Sequence, residues 1–387
     1  MKQLHNMAAF GLAAVLTASV PFQALAGSPE FAYTPEKWST LRDNKLEYGE
    51  IADLVHEYNP TVLNNQASYE QNREGDMGRS DGDIAASYRQ NAQNIYDQID
   101  MMDPDSLTYD STVLALEQQA KALEASATQA ESGNFGMLSQ NKQAEAAIVA
   151  STKALMINYH QLLLNLDLSQ KNLALLQSQQ NAVQRKADLG MATQMDVLNA
   201  KNAVENVQAS ILSTEKQIRN TRQSMCLAAG WAYNAEPEIG ELPSVGKEEI
   251  LVIDLETDKE EAVKNNYTLA VNRHRYSNTR VEETKETLED TIKNNESQIR
   301  SSVTSSYQAL LQAQSDYEQA QSELELAQRQ FDTAALNLSI GNVSQLEYDQ
   351  QAFALESAKI GLELKQMAVL QAYETYESGV AGLASAG

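Results

Sequence analysis

One short pattern occurs twice in this chain, and it constrains the fold more than any other feature. A glycine is followed by a hydroxyl residue three positions later and by an acidic residue six positions later, in residues 187–198 and again in residues 337–348. The first copy consists of Gly190, Thr193 and Asp196, and the second of Gly341, Ser344 and Glu347. The copies are 341 − 190 = 151 residues apart, and the glycines that end the repeats, Gly230 and Gly382, are 382 − 230 = 152 apart. A repeat of this length predicts two copies of one structural unit.

The sequence on either side of each pattern is typical of long helices. Residues 137–189, 191–229 and 247–340 contain no Gly or Pro. Apolar residues in the last of these stretches recur at alternating intervals of four and three. They are Ile299, Val303, Leu310, Ala313, Tyr317, Ala320, Leu324, Ala327, Phe331, Ala334 and Leu338. A stripe of this kind favours a coiled-coil seam. We therefore predict an all-α fold of two tandem repeats, each a long antiparallel coiled-coil hairpin with little or no β-structure.

The repeated pattern itself predicts the tip of each hairpin. Glycine ends a helix readily because it can adopt the left-handed conformation. Thr193 and Ser344 are then expected to cap the next helix, and Asp196 and Glu347 to complete a capping box. Capping alone explains these residues. A role for the acids in lining an entrance or meeting a partner would be additional.

The chain is expected to divide at glycine- and proline-rich positions. We assign residues 1–26 to a signal peptide, 27–230 to the first hairpin repeat, 231–254 to a linker and 255–387 to the second repeat. The first repeat carries extra sequence at about 71–136, which predicts loops and one or two short helices, such as 83–101. Gly133 and Gly136 are expected in those loops. Within the linker region, 250–255 is a candidate short strand.

The N-terminus predicts export. Lys2 precedes an apolar core at 7–22, and the Ala24-Leu25-Ala26 sequence is a small-residue cleavage motif. A membrane anchor is the alternative, but this core is shorter than the roughly 20 residues that span a bilayer. We expect a mature chain that starts at Gly27 and lies in the cell envelope.

Charge and cysteine content exclude several classes of function. The chain has 29 Lys and Arg against 53 Asp and Glu, a formal net charge of −24. Nucleic acids and anionic lipids are bound by clustered basic residues, so we expect no nucleic-acid partner. The single cysteine, Cys226, allows no disulfide within the chain and is predicted to be a small buried residue.

The sequence contains no recognisable catalytic or metal-binding motif. The four histidines (His5, His56, His160 and His274) are not spaced as metal ligands relative to one another or to the cysteine. There is no phosphate-binding loop and no nucleophile motif of the G-x-S-x-G type. We expect no enzymatic activity, no cofactor and no metal.

The ordered repeats resemble the TolC family of outer-membrane efflux and secretion channel components. The resemblance rests on the two openings, which end at Asn59-Pro60 and Asn266-Tyr267, on the two tips and on the two repeat ends. It implies a homotrimer whose three chains close a twelve-helix tube. It also implies docking onto an inner-membrane pump through a periplasmic adaptor, a membrane fusion protein.

The family resemblance also implies a role for the tips. In family members the tips line the inward entrance and acidic residues there form constricting rings. The matching positions here are Asp196 and Glu347, with Asp349 nearby. The family's usual second acid falls at Gln350, which departs from the pattern.

A larger departure concerns the membrane. Family members place two β-strands per repeat between the ascending and descending helices, and these strands build a transmembrane barrel. Such strands need about 9–11 residues of alternating character. Residues 284–296 stand in that place in the second repeat and are charged and helical in character. We therefore predict a divergent member that has lost these strands and kept its hairpins.

Two functions follow from the sequence. The first is a TolC-like passive exit duct of a tripartite efflux or type I secretion system, with transmembrane efflux transporter activity implied by the resemblance. The alternative is an exported coiled-coil scaffold or adaptor of the cell envelope that conducts nothing. A closed trimer is required by the duct and not by the scaffold, so the oligomeric state separates them.

Overall fold

The structure is a computed structural model that describes residues 33–75, 81–102 and 109–387. The predicted signal peptide lies outside the described residues. The chain divides into two compact units, Met1–Asp43 and Asn44–Gly387. The described part of the first unit holds helix α1 (Pro35–Leu41), where the Thr34 hydroxyl accepts a hydrogen bond from the Lys37 amide at 3.3 Å.

The second unit consists almost entirely of helices. Its first half contains strand β1 (Lys45–Leu46), a 3-10 turn (Tyr48–Glu50), and helices α2 (Ile51–Tyr58), α3 (Pro60–Gly75), α4 (Asp81–Asp100), α5 (Tyr109–Asp188) and α6 (Gln194–Ala228). Its second half contains strand β2 (Glu238–Ile239), helices α7 (Lys247–Leu251), α8 (Leu255–Asn265), α9 (Tyr267–Asn278), α10 (Glu282–Ser339) and α11 (Gln345–Ser378), and a final π-helical turn (Gly379–Leu383). The predicted all-α fold with long helices is confirmed.

Four long helices lie side by side in a fixed order. Helix α5 packs against α6 on one side and α11 on the other, and α11 packs against α10. Helices α6 and α10 do not pack along each other, so they form the two edges of the group. Each hairpin therefore keeps one helix inside the group and one at an edge.

The predicted coiled-coil seam of α10 is buried in the structure. Ile299, Val303 and Leu310 are completely inaccessible to solvent, and Ala320, Ala327 and Ala334 further along the stripe are nearly so. The alternating spacing of four and three keeps these residues on one side of the helix. The seam faces α11 near the tip and, towards the other end of α10, a cluster that includes Leu269 and Tyr376.

The insertion in the first repeat is more regular than the sequence indicated. The prediction that Gly133 and Gly136 lie in loops is wrong, because α5 runs through both as one helix of 80 residues. A helical glycine costs roughly 1 kcal/mol relative to alanine, which packing can offset. Here the packing partner is α4, whose Ala85 and Ala92 are fully buried.

Helix α5 presents matching small residues to this contact. Ala120 and Ala127 are fully buried, and they are seven residues apart like the two alanines of α4. Small side chains at heptad spacing let two helices approach closely and hold a long straight seam. This packing explains why the segment stays helical despite its glycines.

The candidate strand at 250–255 is also wrong. Residues Lys247–Leu251 form α7, and Asp254 caps the start of α8 by accepting a hydrogen bond from the Thr257 amide at 3.4 Å. Ile250 is buried against Leu310 and Val369, so its side chain serves helix packing. Three apolar β-branched residues in a short window did not outweigh the capping residues on either side.

Strands are confined to one small pairing in the described residues. Lys45 and Leu46 of β1 lie parallel to Glu238 and Ile239 of β2. In the second repeat, the position where the family resemblance places strands is occupied by the start of α10, as the sequence predicted. Among the described helices, we find none whose length and apolar character would suit it to crossing a bilayer.

Candidate functional site

The first hairpin tip is a compact capped turn between α5 and α6. Gly190 has a φ of +72°, and the Met191 amide donates to the Lys186 carbonyl at 2.7 Å, which ends α5. The Asp196 amide donates to the Thr193 hydroxyl at 3.2 Å, and the Asp196 carboxylate accepts from the Thr193 amide at 2.8 Å. The predicted capping box is confirmed.

The second tip has the same geometry between α10 and α11. Gly341 has a φ of +77°, and the Asn342 amide donates to the Asn337 carbonyl at 2.8 Å. The Glu347 amide donates to the Ser344 hydroxyl at 3.2 Å, and the Glu347 carboxylate accepts from the Ser344 amide at 2.7 Å. This second capping box is confirmed as well.

The acids of both tips stay ionised more readily than free carboxylic acids. The pKa of Asp196 is lowered by the hydrogen bonds that its carboxylate accepts from the Thr193 amide and hydroxyl. The Ser344 amide and hydroxyl lower the pKa of Glu347 in the same way. Both side chains are solvent-exposed, so each tip presents a fixed negative charge in addition to its capping role.

The third acid lies on the second helix of its hairpin, facing the neighbouring hairpin. Asp349 accepts from the Gln345 amide group at 2.8 Å and from the Ser178 hydroxyl of α5 at 3.4 Å. It therefore links the two hairpins close to their tips. The structure brings the seven predicted tip residues to two neighbouring turns at one end of the four-helix group.

The two tips lie at nearly the same level because α5 and α11 keep one register along their length. Polar contacts join Ser178 to Asp349 at 3.4 Å, Lys171 to Glu356 at 3.0 Å and Lys153 to Glu374 at 2.8 Å. Each pair of residue numbers has the same sum, 178 + 349 = 171 + 356 = 153 + 374 = 527. A constant sum is the signature of antiparallel helices without slippage.

At the other end of each hairpin, a buried asparagine joins the start of the repeat to its end. The Asn59 side chain, 6% exposed, donates to the Ala228 carbonyl at 2.8 Å and accepts from the amides of Thr61 and Val62. It thus caps α3 and holds the last turn of α6. Gly230 lies beside it, and a Cβ there would fall onto the Tyr58 carbonyl.

The second repeat builds the same junction from matching residues. Asn266, 2% exposed, donates to the carbonyls of Gly382 (3.2 Å) and Ala384 (2.8 Å) and accepts from the Leu269 amide (3.0 Å). A Cβ on Gly382 would lie 2.6 Å from the Asn265 carbonyl oxygen. The sequence marked these residues as repeat openings and ends, but their contact was missed. The available signal was an asparagine directly before a helix in both repeats, Asn59 before α3 and Asn266 before α9.

The histidines described by the structure have packing or ion-pair roles. His56 of α2 contacts Glu145 of α5 at 2.7 Å, and that hydrogen bond raises the pKa of His56. His160 donates to the Gly240 carbonyl at 3.0 Å, and His274 stacks on Phe135. Cys226 is buried, and burial raises the pKa of its thiol.

The described residues offer no arrangement for metal chemistry. No group of three or more His, Cys, Asp or Glu side chains within them is placed to hold a metal ion. A cavity of about 510 Å³ lies beside the junctions and is lined by His56, Glu145, Lys153 and Glu374 among others. These groups are already engaged in the ion pairs of α5 with α2 and α11.

Comparison with known proteins finds similarity in structure alone. No protein-family model matches the sequence, and no curated protein matches it either. The structure of the outer-membrane channel OprN is similar with a TM-score of 0.59 and 9% identity, covering 90% of this chain and 93% of that one. The outer membrane protein VceC from Vibrio cholerae gives a TM-score of 0.54 and 9% identity, with 87% and 96% covered.

A third structure, a membrane protein from Pseudomonas aeruginosa, agrees with these two. Its TM-score is 0.57 at 10% identity, and the match covers 86% of this chain and 93% of that one. At such identities the similarity concerns the fold, and it extends over nearly the whole length of each of the three proteins. The resemblance to the TolC family is therefore confirmed at the level of the fold: this chain folds as the outer-membrane channels of that family do.

Proposed function

We propose that this protein is a TolC-like exit duct, a passive component of a tripartite efflux or type I secretion system with transmembrane efflux transporter activity. The observation that carries the proposal is the pair of hairpins with matched tips, set in a fold shared with OprN and VceC over most of the chain. OprN is an outer-membrane channel, which agrees with a passive function free of catalysis.

The arrangement of the long helices supports a tubular homotrimer. Each chain contributes four helices side by side, with α6 and α10 at the edges. A layer with two open edges closes on itself when copies are added around an axis, and a closed ring leaves no edge exposed. Three copies give the twelve-helix wall that the family resemblance implies.

The matched level of the tips supports a common entrance. If three copies surround an axis, six tips form one rim that carries Asp196, Glu347 and Asp349 of each chain. Because the pKa values of Asp196 and Glu347 are lowered, the rim stays negatively charged at neutral pH. We propose that this rim admits the transported molecule and meets a periplasmic-type adaptor, which connects it to an inner-membrane pump.

The other end of the protein differs from the family pattern. There, α4 and the first part of α5 form a helical pair, and α9 is followed directly by α10. We propose that the duct is exported by the predicted signal peptide and works in the cell envelope. Its distal end is completed by this helical pair.

The mass of the exported protein in solution tests the proposal. Cells producing the full chain are used, and the exported protein is purified without detergent and measured by light scattering. A mass of three chains supports the duct. A mass of one or two chains contradicts it and favours the envelope scaffold. Aggregation relieved only by detergent would show that the predicted loss of the membrane strands is wrong.

A further inference from the structure

The cavity beside the junctions has walls from both repeats. Its floor is one face of α5, where the lining positions between 142 and 153 recur at the spacing of three and four residues that keeps side chains on one side of a helix. One wall is α2, and the other is the end of α11 with the π-helical turn that follows it. The volume of about 510 Å³ is within the range of roughly 300–1,000 Å³ that is typical of small-molecule sites.

The middle of the cavity is apolar and is built from small side chains. Ala146, Val149 and Ala150 of α5 contribute to its floor. Ala52 of α2 and Leu383 of the π-helical turn contribute to its walls. Side chains of this size leave room for the body of a ligand, and their apolar atoms favour a ligand whose middle carries no charge.

Two charged residues of the lining are not used in the ion pairs that join α5 to α2 and α11. They are Lys142 on α5 and Glu377 on α11. Neither of them forms an ion pair within the part of the chain that the structure describes. Both are exposed to solvent. Each is therefore available to a ligand group of opposite charge.

The separation of these two residues follows from the register of α5 and α11. Residue numbers at one level of the two helices add up to 527, so Glu377 lies at the level of residue 527 − 377 = 150 of α5. Lys142 is 150 − 142 = 8 residues away along α5, which is about 12 Å. An extended chain advances about 3.3–3.6 Å per residue, so three or four residues of peptide cover this distance.

The surroundings of Glu377 favour a positive charge beside it. Partial burial and the nearby carboxylates of Asp258 and Glu374 raise the pKa of Glu377. A hydrogen bond with Tyr373 and the charge of Lys153 act in the opposite direction but are the smaller effects. An ammonium group placed beside Glu377 would offset the repulsion from the other two carboxylates.

We propose that this cavity binds a short peptide of three or four small residues with free ends, whose terminal ammonium group pairs with Glu377 and whose terminal carboxylate pairs with Lys142. The apolar middle of the cavity holds the uncharged body of the peptide. The site lies within one chain and joins its two repeats, so binding does not depend on the assembly of copies proposed above.

Isothermal titration calorimetry of the exported full chain with tetra-alanine tests the site. We expect saturable binding of one peptide per chain. Blocking either end of the peptide, by acetylation of the amine or amidation of the carboxylate, is expected to raise the dissociation constant about tenfold, because each change removes one ion pair. Dialanine is too short to reach both residues and is expected to bind at least tenfold more weakly than tetra-alanine.

Two variants assign the direction of the peptide. In Glu377→Gln, tetra-alanine and its acetylated form are expected to bind equally, while the amidated form still binds more weakly. In Lys142→Gln, the amidated form is expected to lose its disadvantage and the acetylated form to keep it. The matched controls are Glu363→Gln on α11 and Lys216→Gln on α6, which change an exposed charge outside the cavity and are expected to leave binding unchanged.

The peptides with blocked ends test the proposal on the unmodified protein, so it does not depend on the folding of any variant. No saturable binding of tetra-alanine, or equal binding of the free and doubly blocked peptides, would overturn the site. Equal weakening in the cavity variants and in the two controls would overturn the assignment of Lys142 and Glu377. None of these results bears on the mass in solution, which tests the duct separately.

Discussion

The two hairpin repeats are alike at their tips and at the junctions that join the start of each repeat to its end. They differ in the segments at the end far from the tips. Their tips have glycines with φ values of +72° and +77° and the same capping box, although one box uses Thr and Asp and the other Ser and Glu. Their junctions use Asn59 with Gly230 in one repeat and Asn266 with Gly382 in the other. These positions are defined by backbone geometry, which few residue types satisfy.

At the end far from the tips, the two repeats have different helices. In the first repeat, α3 is followed by α4 and an 80-residue α5, whereas in the second α9 is followed at once by the 58-residue α10. Arg89 of α4 bonds Glu131 of α5 and also the Asn278 carbonyl at the end of α9, so the insertion is built onto the second repeat. A hairpin layer therefore keeps its tips and junctions while its far end changes.

The largest expected effect is at the junction glycines. Gly230→Ala and Gly382→Ala each force a Cβ against a backbone carbonyl at a positive φ, so we expect each to destabilise the protein by about 3 kcal/mol or more. Thermal unfolding of purified protein measures the change. The control is Gly361→Ala, in the interior of α11 with open space around its Cα, which we expect to stabilise by about 0.5–1 kcal/mol. Equal effects at 230, 382 and 361 would contradict the close approach at the junctions.

The junction asparagines come next. Asn266→Ala and Asn59→Ala remove a helix cap and leave buried carbonyls without their donor, which we expect to cost about 2 kcal/mol each. Asn266→Asp keeps the acceptor for the Leu269 amide but replaces the donor to Gly382 and Ala384 with a carboxylate oxygen. Because that buried oxygen would face two carbonyl oxygens, chemical denaturation at neutral pH should find the Asp variant less stable than Ala. A strong effect at one junction and none at the other would break the equivalence of the repeats.

A smaller effect is expected at the tips. Gly341→Val places a β-branched residue at a positive φ in open space, so strain alone acts and about 1–2 kcal/mol is expected. We also expect weaker assembly, measured by the mass in solution. Gly341→Asn is the control, since asparagine tolerates this conformation. Wild-type melting and assembly in the valine variant would contradict this role of the glycine.

The smallest effect distinguishes the repeats by pH. His56 pairs with Glu145 in the first repeat, whereas the matching position in the second is the buried Val263. The pKa of His56 is raised, so the stability from this pair is present below pH 6.5 and is lost as the pH rises through the folded-state value. Because His56 is half-exposed, we expect only about 0.5 kcal/mol. Comparing melting at pH 5.5 and 8.5 for wild type and His56→Gln measures it, and an unchanged pH dependence in the variant would refute the assignment.

The sequence was most informative where local rules determine structure. The tips follow from glycine conformation and capping, both of which act within a few residues. The seam of α10 follows from the spacing of apolar residues within that single helix. The insertion was harder, because Gly133 and Gly136 indicate loops locally. Their helix is stabilised by alanines of α4 more than 40 residues away, which is tertiary information.

The junctions were beyond local rules for a similar reason. Asn59 and Asn266 were recognisable as repeated positions, but their partners lie 169 and 116 to 118 residues further along the chain. Only the folded hairpin brings these ends together. The helical pair of α4 and α5 at the far end is likewise visible only in three dimensions.

The central claim is that copies of this chain close their hairpins into a hollow wall. Electron microscopy of the exported, detergent-free protein, averaged in views along the helices, tests it most directly. We expect a threefold ring of twelve helices around an open lumen, with six tips at one rim. A compact bundle without a lumen, or a particle of one or two chains, would contradict it.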